Sequence, residues 1–243
     1  MDQAKPIILS LDTSTPCSSL ALTAGTRKTG EVLAAVSLAG KVNHSRRLLA
    51  AIDWIMLESG VDWSHISGIG VSLGPGSFTG LRIGMATAKG LAAASGKVLL
   101  GVSTLDALAA QCVTDRLICS LLDARKKEVY AAFYRCNDAG FTERIGSPLV
   151  APPEKVALAI HEPVLLVGDG ARLYSDELAA ILLEYCLIAP ACLHTPSAAA
   201  LGMCAGELLE KGQLLDLAAG VPLYVRSSDA ELNLLKRPLP RLS

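Results

Sequence analysis

The sequence predicts an α/β protein built from two similar lobes. Three observations carry that expectation. The order hairpin, strand, helix, strand, helix runs through the first half of the chain and returns in the second. An aspartate ends or follows the first strand of each half, Asp12 and Asp123. A glycine-rich junction over residues 66–90 joins a buried apolar strand directly to a helix of small residues. With 243 residues the chain has room for one large domain or two small ones.

In the first half, residues 7–12 (IILSLD) form an apolar strand, 13–17 (TSTPC) a turn rich in Ser, Thr and Pro, and 18–23 a returning strand. Residues 31–38 (EVLAAVSL) supply a third strand. An amphipathic helix is expected over 45–59, because Leu48, Leu49, Ile52, Ile55 and Met56 share one face at helical spacing. Strand 66–73 and helix 80–95 complete the unit.

The second half repeats the order. Residues 117–122 are a strand, 124–127 a polar turn, 128–135 the returning strand and 141–150 a third strand. Pro152 and Pro153 open a short helix over 154–160. Then come strand 164–167, a turn at Gly168, Asp169 and Gly170, helix 175–183 and a last alanine-rich helix over 196–211. The expected division is residues 1–105 and 106–243, with the last helix at the seam and a poorly ordered tail over 227–243. Two such βββαβα lobes face each other across a cleft, and α/β folds hold ligands at strand ends.

Composition narrows the function. The chain is 51% hydrophobic but only 4% aromatic, so alanine, leucine and glycine make its core. The net charge is −1, whereas a protein that grips nucleic acid unaided shows a basic face. The basic clusters are Arg125, Lys126 and Lys127, and Lys236, Arg237 and Arg241 in the tail; both suit solvated loops. No apolar run is long enough to span a membrane, and the start lacks the pattern of a signal peptide. Seven cysteines, an odd number without CxxC spacing, suit buried reduced thiols and a cytoplasmic location. His44, His65, His161 and His194 lie far apart in sequence and suit surface or helix-end positions rather than metal ligation.

The junction Gly74, Pro75, Gly76 and Gly80 lets backbone approach something closely. A phosphate at the helix N-terminus, another helix and another chain are the candidates. It is no Walker A loop, since no Lys-Ser or Lys-Thr follows, and its GxGxxxG spacing is one residue longer than the dinucleotide fingerprint. Gly80, Gly84, Ala88 and Ala92 recur every four residues as a smooth stripe, flanked by the bulk of Leu81, Met85 and Leu91. On pattern alone the stripe suits its own sheet as well as a partner helix.

DTST at 12–15, GPGSFTGLRIG at 74–84, GVSTLDALA at 101–109 and LLDARKKEVYAAFY at 121–134 resemble the TsaB (YeaZ) family of the bacterial tRNA threonylcarbamoyladenosine machinery. The resemblance covers nearly the whole chain. It implies the actin-like ATPase (ASKHA) fold, with two ribonuclease-H-like lobes. It also implies a non-catalytic subunit that pairs with the catalytic paralogue TsaD, or with itself when alone, beside the small ATPase TsaE. Contact with tRNA is then expected only through the complex.

The paired histidines that hold a metal in the catalytic paralogues fall at Thr104 and Leu108, neither of which holds a metal there, so no metal site and no catalytic residue are expected. In actin-like folds the phosphates meet the N-terminal hairpin, here Asp12, Thr13 and Ser14. The adenosine end uses a glycine pair, here Gly168 and Gly170 with Asp169 between them. With Asp123 these form an incomplete candidate nucleotide cleft. No cofactor is expected beyond weak nucleotide binding, and an independent ATPase working in that cleft is the rival reading. The resemblance turns the small-residue stripe toward a partner. The expected interface is Leu48, Ile52, Ile55 and Met56 with Gly80, Leu81, Gly84, Met85, Ala88 and Ala92.

Overall fold

The computed structural model describes residues 5–39 and 44–223, with side chains from 48 onward in the second stretch. The expected tail over 227–243 lies outside the described residues.

Two five-stranded sheets share one topology. In the first, β1 (Ile7–Asp12), β2 (Cys17–Ala24) and β3 (Glu31–Ala39) form an antiparallel meander. After α1 (His44–Ser59), β4 (Ile66–Gly74) pairs parallel to β1. After α2 (Phe78–Ser95), β5 (Val98–Ser103) pairs parallel to β4, giving the order β3-β2-β1-β4-β5. A short helix, α3 (Thr104–Ala109), leads to the second sheet. There β6 (Leu117–Arg125), β7 (Glu128–Cys136) and β8 (Thr142–Ala151) form the meander. Next come α4 (Pro153–Leu158), β9 (Val164–Val167), α5 (Asp169–Leu173), α6 (Ser175–Leu182), β10 (Cys186–Ile188) and finally α7 (Ala198–Glu210). The order β10-β9-β6-β7-β8 is the first sheet's order again. The repeat expected from sequence is present, with a fifth strand in each half that the sequence reading lacked.

Strand alternation decides which helix covers which face. In β1, Leu9 and Leu11 join the core with Leu48, Ile52 and Ile55 of α1 and Met85 and Ala88 of α2. The alternate Ile8 joins Leu201 and Ala205 of α7. In β6, Leu117, Cys119 and Leu121 pack with Leu178 and Leu182 of α6 and Val156 of α4, while Ile118 and Leu122 pack with Leu105 and Leu108 of α3. Each half's trailing helix therefore covers the other half's sheet. The division at 105/106 is one of sequence, and it does not separate the two packed layers. α7 approaches closely because Gly202 leaves room for Thr23 and Ser10, and Ser10 donates to the Ala198 carbonyl at 2.6 Å.

Candidate functional site

The first hairpin tip and the glycine junction form one packed unit. The Thr13 hydroxyl donates to the Gly80 carbonyl at 2.8 Å, and the Ser77 amide donates to the Ser14 carbonyl at 2.7 Å. A Cβ at position 80 would collide with the Thr13 carbonyl oxygen, and one at position 84 with the Thr13 hydroxyl. Gly74 adopts a φ of +103°, which its lack of a Cβ permits, where β4 turns into α2. The Ser77 hydroxyl then accepts from the Gly80 amide at 3.2 Å and caps the helix. What the glycines admit is thus the chain's own hairpin.

Asp12, Thr13 and Ser14 are buried. Asp12 accepts from the Ser14 hydroxyl at 2.9 Å and from the Ser14 amide at 3.2 Å. Burial pushes its carboxyl up to about 6. The Ser72 and Ser14 groups facing it pull the other way, though the Ser72 hydroxyl reaches no partner at hydrogen-bonding geometry. The groups that a phosphate would use in this half are engaged within the chain.

The second hairpin tip is open. The Asp123 side chain is 12% exposed and pairs with Arg125 at 3.1 Å. Its own amide donates to Asp169 at 3.0 Å. Burial, and the nearby Asp123 charge, hold the Asp169 carboxyl above its ordinary value against the bonds it accepts. Arg125, Lys126 and Lys127 all have positive φ, near 61°, 54° and 61°, and all are exposed. Gly168 and Gly170 are buried against Leu121 and Leu122. Asp169 thus braces Asp123, and the two glycines serve close packing. His194, expected at the surface or a helix end, stands at the end of the short 3-10 turn Ala191–Leu193 and is only 4% exposed: it lies within 3.1 Å of the Gly168 amide and 2.9 Å of the Ala189 carbonyl. Cys192, expected to be buried, is exposed.

The structure corrects the side chains assigned to the partner interface. Leu48, Ile52, Ile55 and Met56 are buried in the first sheet's core, and so are Leu81, Met85, Ala88 and Ala92. Gly80 and Gly84 lie against Thr13. The stripe is smooth because α2 must seat on β1 and its hairpin. Leu49, expected on one face with Leu48 and Ile52, is instead 52% exposed, and the outward faces of the same helices carry what the sequence reading passed over: Trp54, also 52% exposed, Leu57 at 78%, and Phe78, with Arg82 stacked 3.7 Å above its ring. The signal was present in sequence, since Trp54 and Leu57 fall off the helical face that holds Ile52, Ile55 and Met56.

The family model of TsaD, tRNA N6-adenosine threonylcarbamoyltransferase, matches residues 31–234. The tRNA threonylcarbamoyladenosine biosynthesis protein TsaB of Bacillus subtilis is 31% identical, over 92% of this chain and 96% of that protein. The Escherichia coli TsaB is 32% identical, over 70% and 74%. The solved YeaZ of Pseudomonas aeruginosa superposes with a TM-score of 0.75 at 29% identity, over 90% of this chain and 99% of that one. The chain belongs to the TsaB family. Its two sheets are the ribonuclease-H-like lobes of an actin-like α/β fold. In this chain Thr104 and Leu108 are fully buried, Leu108 in the core beneath β6. Among the described residues no group of three or more His, Cys, Asp or Glu side chains is arranged to hold a metal ion. No helix among them is long and apolar enough to cross a membrane.

Proposed function

We infer that this chain is a non-catalytic subunit of tRNA threonylcarbamoyladenosine biosynthesis, and that it pairs with a TsaD-like catalytic paralogue through the outward faces of α1 and α2. The observation that carries the pairing is the exposure of Leu49, Trp54, Leu57 and Phe78 on two helices that touch each other. Large aromatic and aliphatic groups of this kind anchor protein interfaces. The inner faces of the same helices are already used by the first sheet, so only the outer faces can meet a partner. Self-pairing in the absence of TsaD, a TsaE-like ATPase and tRNA contact through the assembly belong to the same reading. So does a cytoplasmic site of action.

The non-catalytic part is supported by the first hairpin tip, whose carboxylate and hydroxyls are buried and bonded within the chain. An actin-fold ATPase needs such groups free for phosphate and its metal. The purified chain alone is therefore expected to turn over no ATP above background.

The test is light scattering after size exclusion, on the chain alone and mixed with its cognate TsaD. Leu57→Glu and Trp54→Glu should abolish the complex while the far-ultraviolet circular dichroism stays that of the parent. Variants that still bind TsaD like the parent would remove α1 from the interface. Gly84→Arg does not address pairing, because the new side chain would strike Thr13 inside the chain.

A further inference from the structure

We propose that the groove where α3 and α7 cross between the two sheets binds a small molecule through a carboxylate or phosphate group, held by Lys211 and Arg144 with the Ser103 hydroxyl. The groove encloses about 220 Å³ on the side of the molecule that carries the β2–β3 turn, away from the two hairpin tips. Both halves build its walls. Arg27 comes from the β2–β3 turn, Ser103 from the end of β5, Asp106 from α3, Tyr134 and Arg144 from β7 and β8, and Lys211 from the end of α7.

The charge inside decides the ligand. Two carboxylates line the groove and both are taken. Glu207 receives Arg27 through two bonds, 2.7 and 2.9 Å, and the same guanidinium also donates to the Thr142 carbonyl and hydroxyl, each at 3.1 Å. Asp106 receives the Tyr134 hydroxyl at 2.8 Å and Arg144 at 3.2 Å on a single oxygen. Cys204, on the same wall, is half-buried, and desolvation pushes its thiol up to about 12, so it adds no negative charge. Against two carboxylates stand three cations. Among the described residues the third, Lys211, makes no ion pair and is exposed at the rim. The Ser103 side chain makes no capping bond to α3, although it occupies the N-cap. The groove thus has one cation in excess and lies within reach of both halves. An anionic group bonded to Lys211 and to the remaining donors of Arg144 gains charge-assisted hydrogen bonds without displacing an internal pair.

The experiment is isothermal titration calorimetry on the full chain, with inorganic phosphate and, separately, citrate as probes. Saturable one-to-one binding of either is expected, and which one binds tells a phosphate from a carboxylate ligand. Lys211→Glu should weaken it by at least about tenfold, since an attraction becomes a repulsion. Arg144→Gln, which retains a donor toward Asp106, should weaken it also. Lys155→Glu, on the exposed face of α4, should leave it unchanged. Absence of saturable binding by both probes overturns the site. So does binding that Lys211→Glu and Arg144→Gln leave at the parental level.

Discussion

The two hairpin tips occupy equivalent places in duplicated sheets, and they have opposite fates. The first, around Asp12, is sealed: its carboxylate, hydroxyls and carbonyls face Ser72, Gly76 and Gly80 of its own chain. The second, around Asp123, is open and carries three basic residues in left-handed backbone. Topology alone therefore does not conserve chemistry. The first tip became a packing surface for α2, the helix whose outward side exposes Phe78. A sealed tip gives that helix a fixed seat, and this suits a chain whose work is to present a surface.

The sharpest way to break the comparison is to unseat α2. Gly80→Ala places a methyl group on the Thr13 carbonyl oxygen, a backbone atom that cannot turn aside. We expect a loss of about 3 kcal/mol or more in urea unfolding, at the top of the overpacking range. Gly90→Ala on the same helix meets nothing within 4 Å and should instead gain about 0.5–1 kcal/mol from helix propensity. If Gly80→Ala were as harmless as Gly90→Ala, the tip would not be sealed by α2.

The second test uses the proton on Asp12. Its carboxyl ordinarily titrates at 3.8 and is raised to about 6 in the folded chain, chiefly by burial. The folded state therefore holds this proton more tightly than the unfolded chain. The group's stabilising contribution is complete below about pH 4 and is lost as pH rises through 6. The difference is on the order of 2–3 kcal/mol. Asp12→Asn, neutral at every pH, should remove this fall and be the more stable form at pH 7.5. Equilibrium unfolding of both proteins at pH 4.5, 6 and 7.5 reads it directly. A stability that climbs over that range and falls below the parent's in Asp12→Asn would mean that the buried carboxylate is charged and needed.

Most of the architecture was legible in the chain. Alternating or continuous apolar runs such as IILSLD and VLLV mark strands by composition alone, and the spacing Leu48, Ile52, Ile55, Met56 marks α1. The fifth strands were harder to read because VLLGVS runs into α3 at Thr104 with no Gly or Pro between them, and CLI is only three residues long. The site was less legible, for a physical reason. A small-residue stripe states that something comes close but does not say what. Gly80 and Gly84 meet Thr13, nearly seventy residues earlier in sequence, a proximity that only the β1–β4 pairing creates. Arg27 meeting Glu207 and Thr142 is likewise set by how the two halves cross, which no local pattern encodes.

The smallest expected effect sits at the open tip. Arg125, Lys126 and Lys127 hold left-handed backbone that side-chain-bearing residues adopt at a cost of about 1 kcal/mol or more each. Asp123 anchors the first of them, accepting the Arg125 amide at 2.8 Å, while Lys127 lies beyond that anchor. Lys127→Gly relieves one strained position and removes only an exposed side chain. It should raise stability by about 0.5–1 kcal/mol, seen as a rise of about 2–3 °C in calorimetric Tm. At the sealed tip the same exchange has the opposite sign. Thr13→Gly deletes the hydroxyl bonded to the Gly80 carbonyl and leaves that acceptor buried, a loss of about 1–3 kcal/mol. A gain at both tips would mean that the first is held by its backbone alone. A loss at both would mean that Lys127, too, is held by contacts of its side chain.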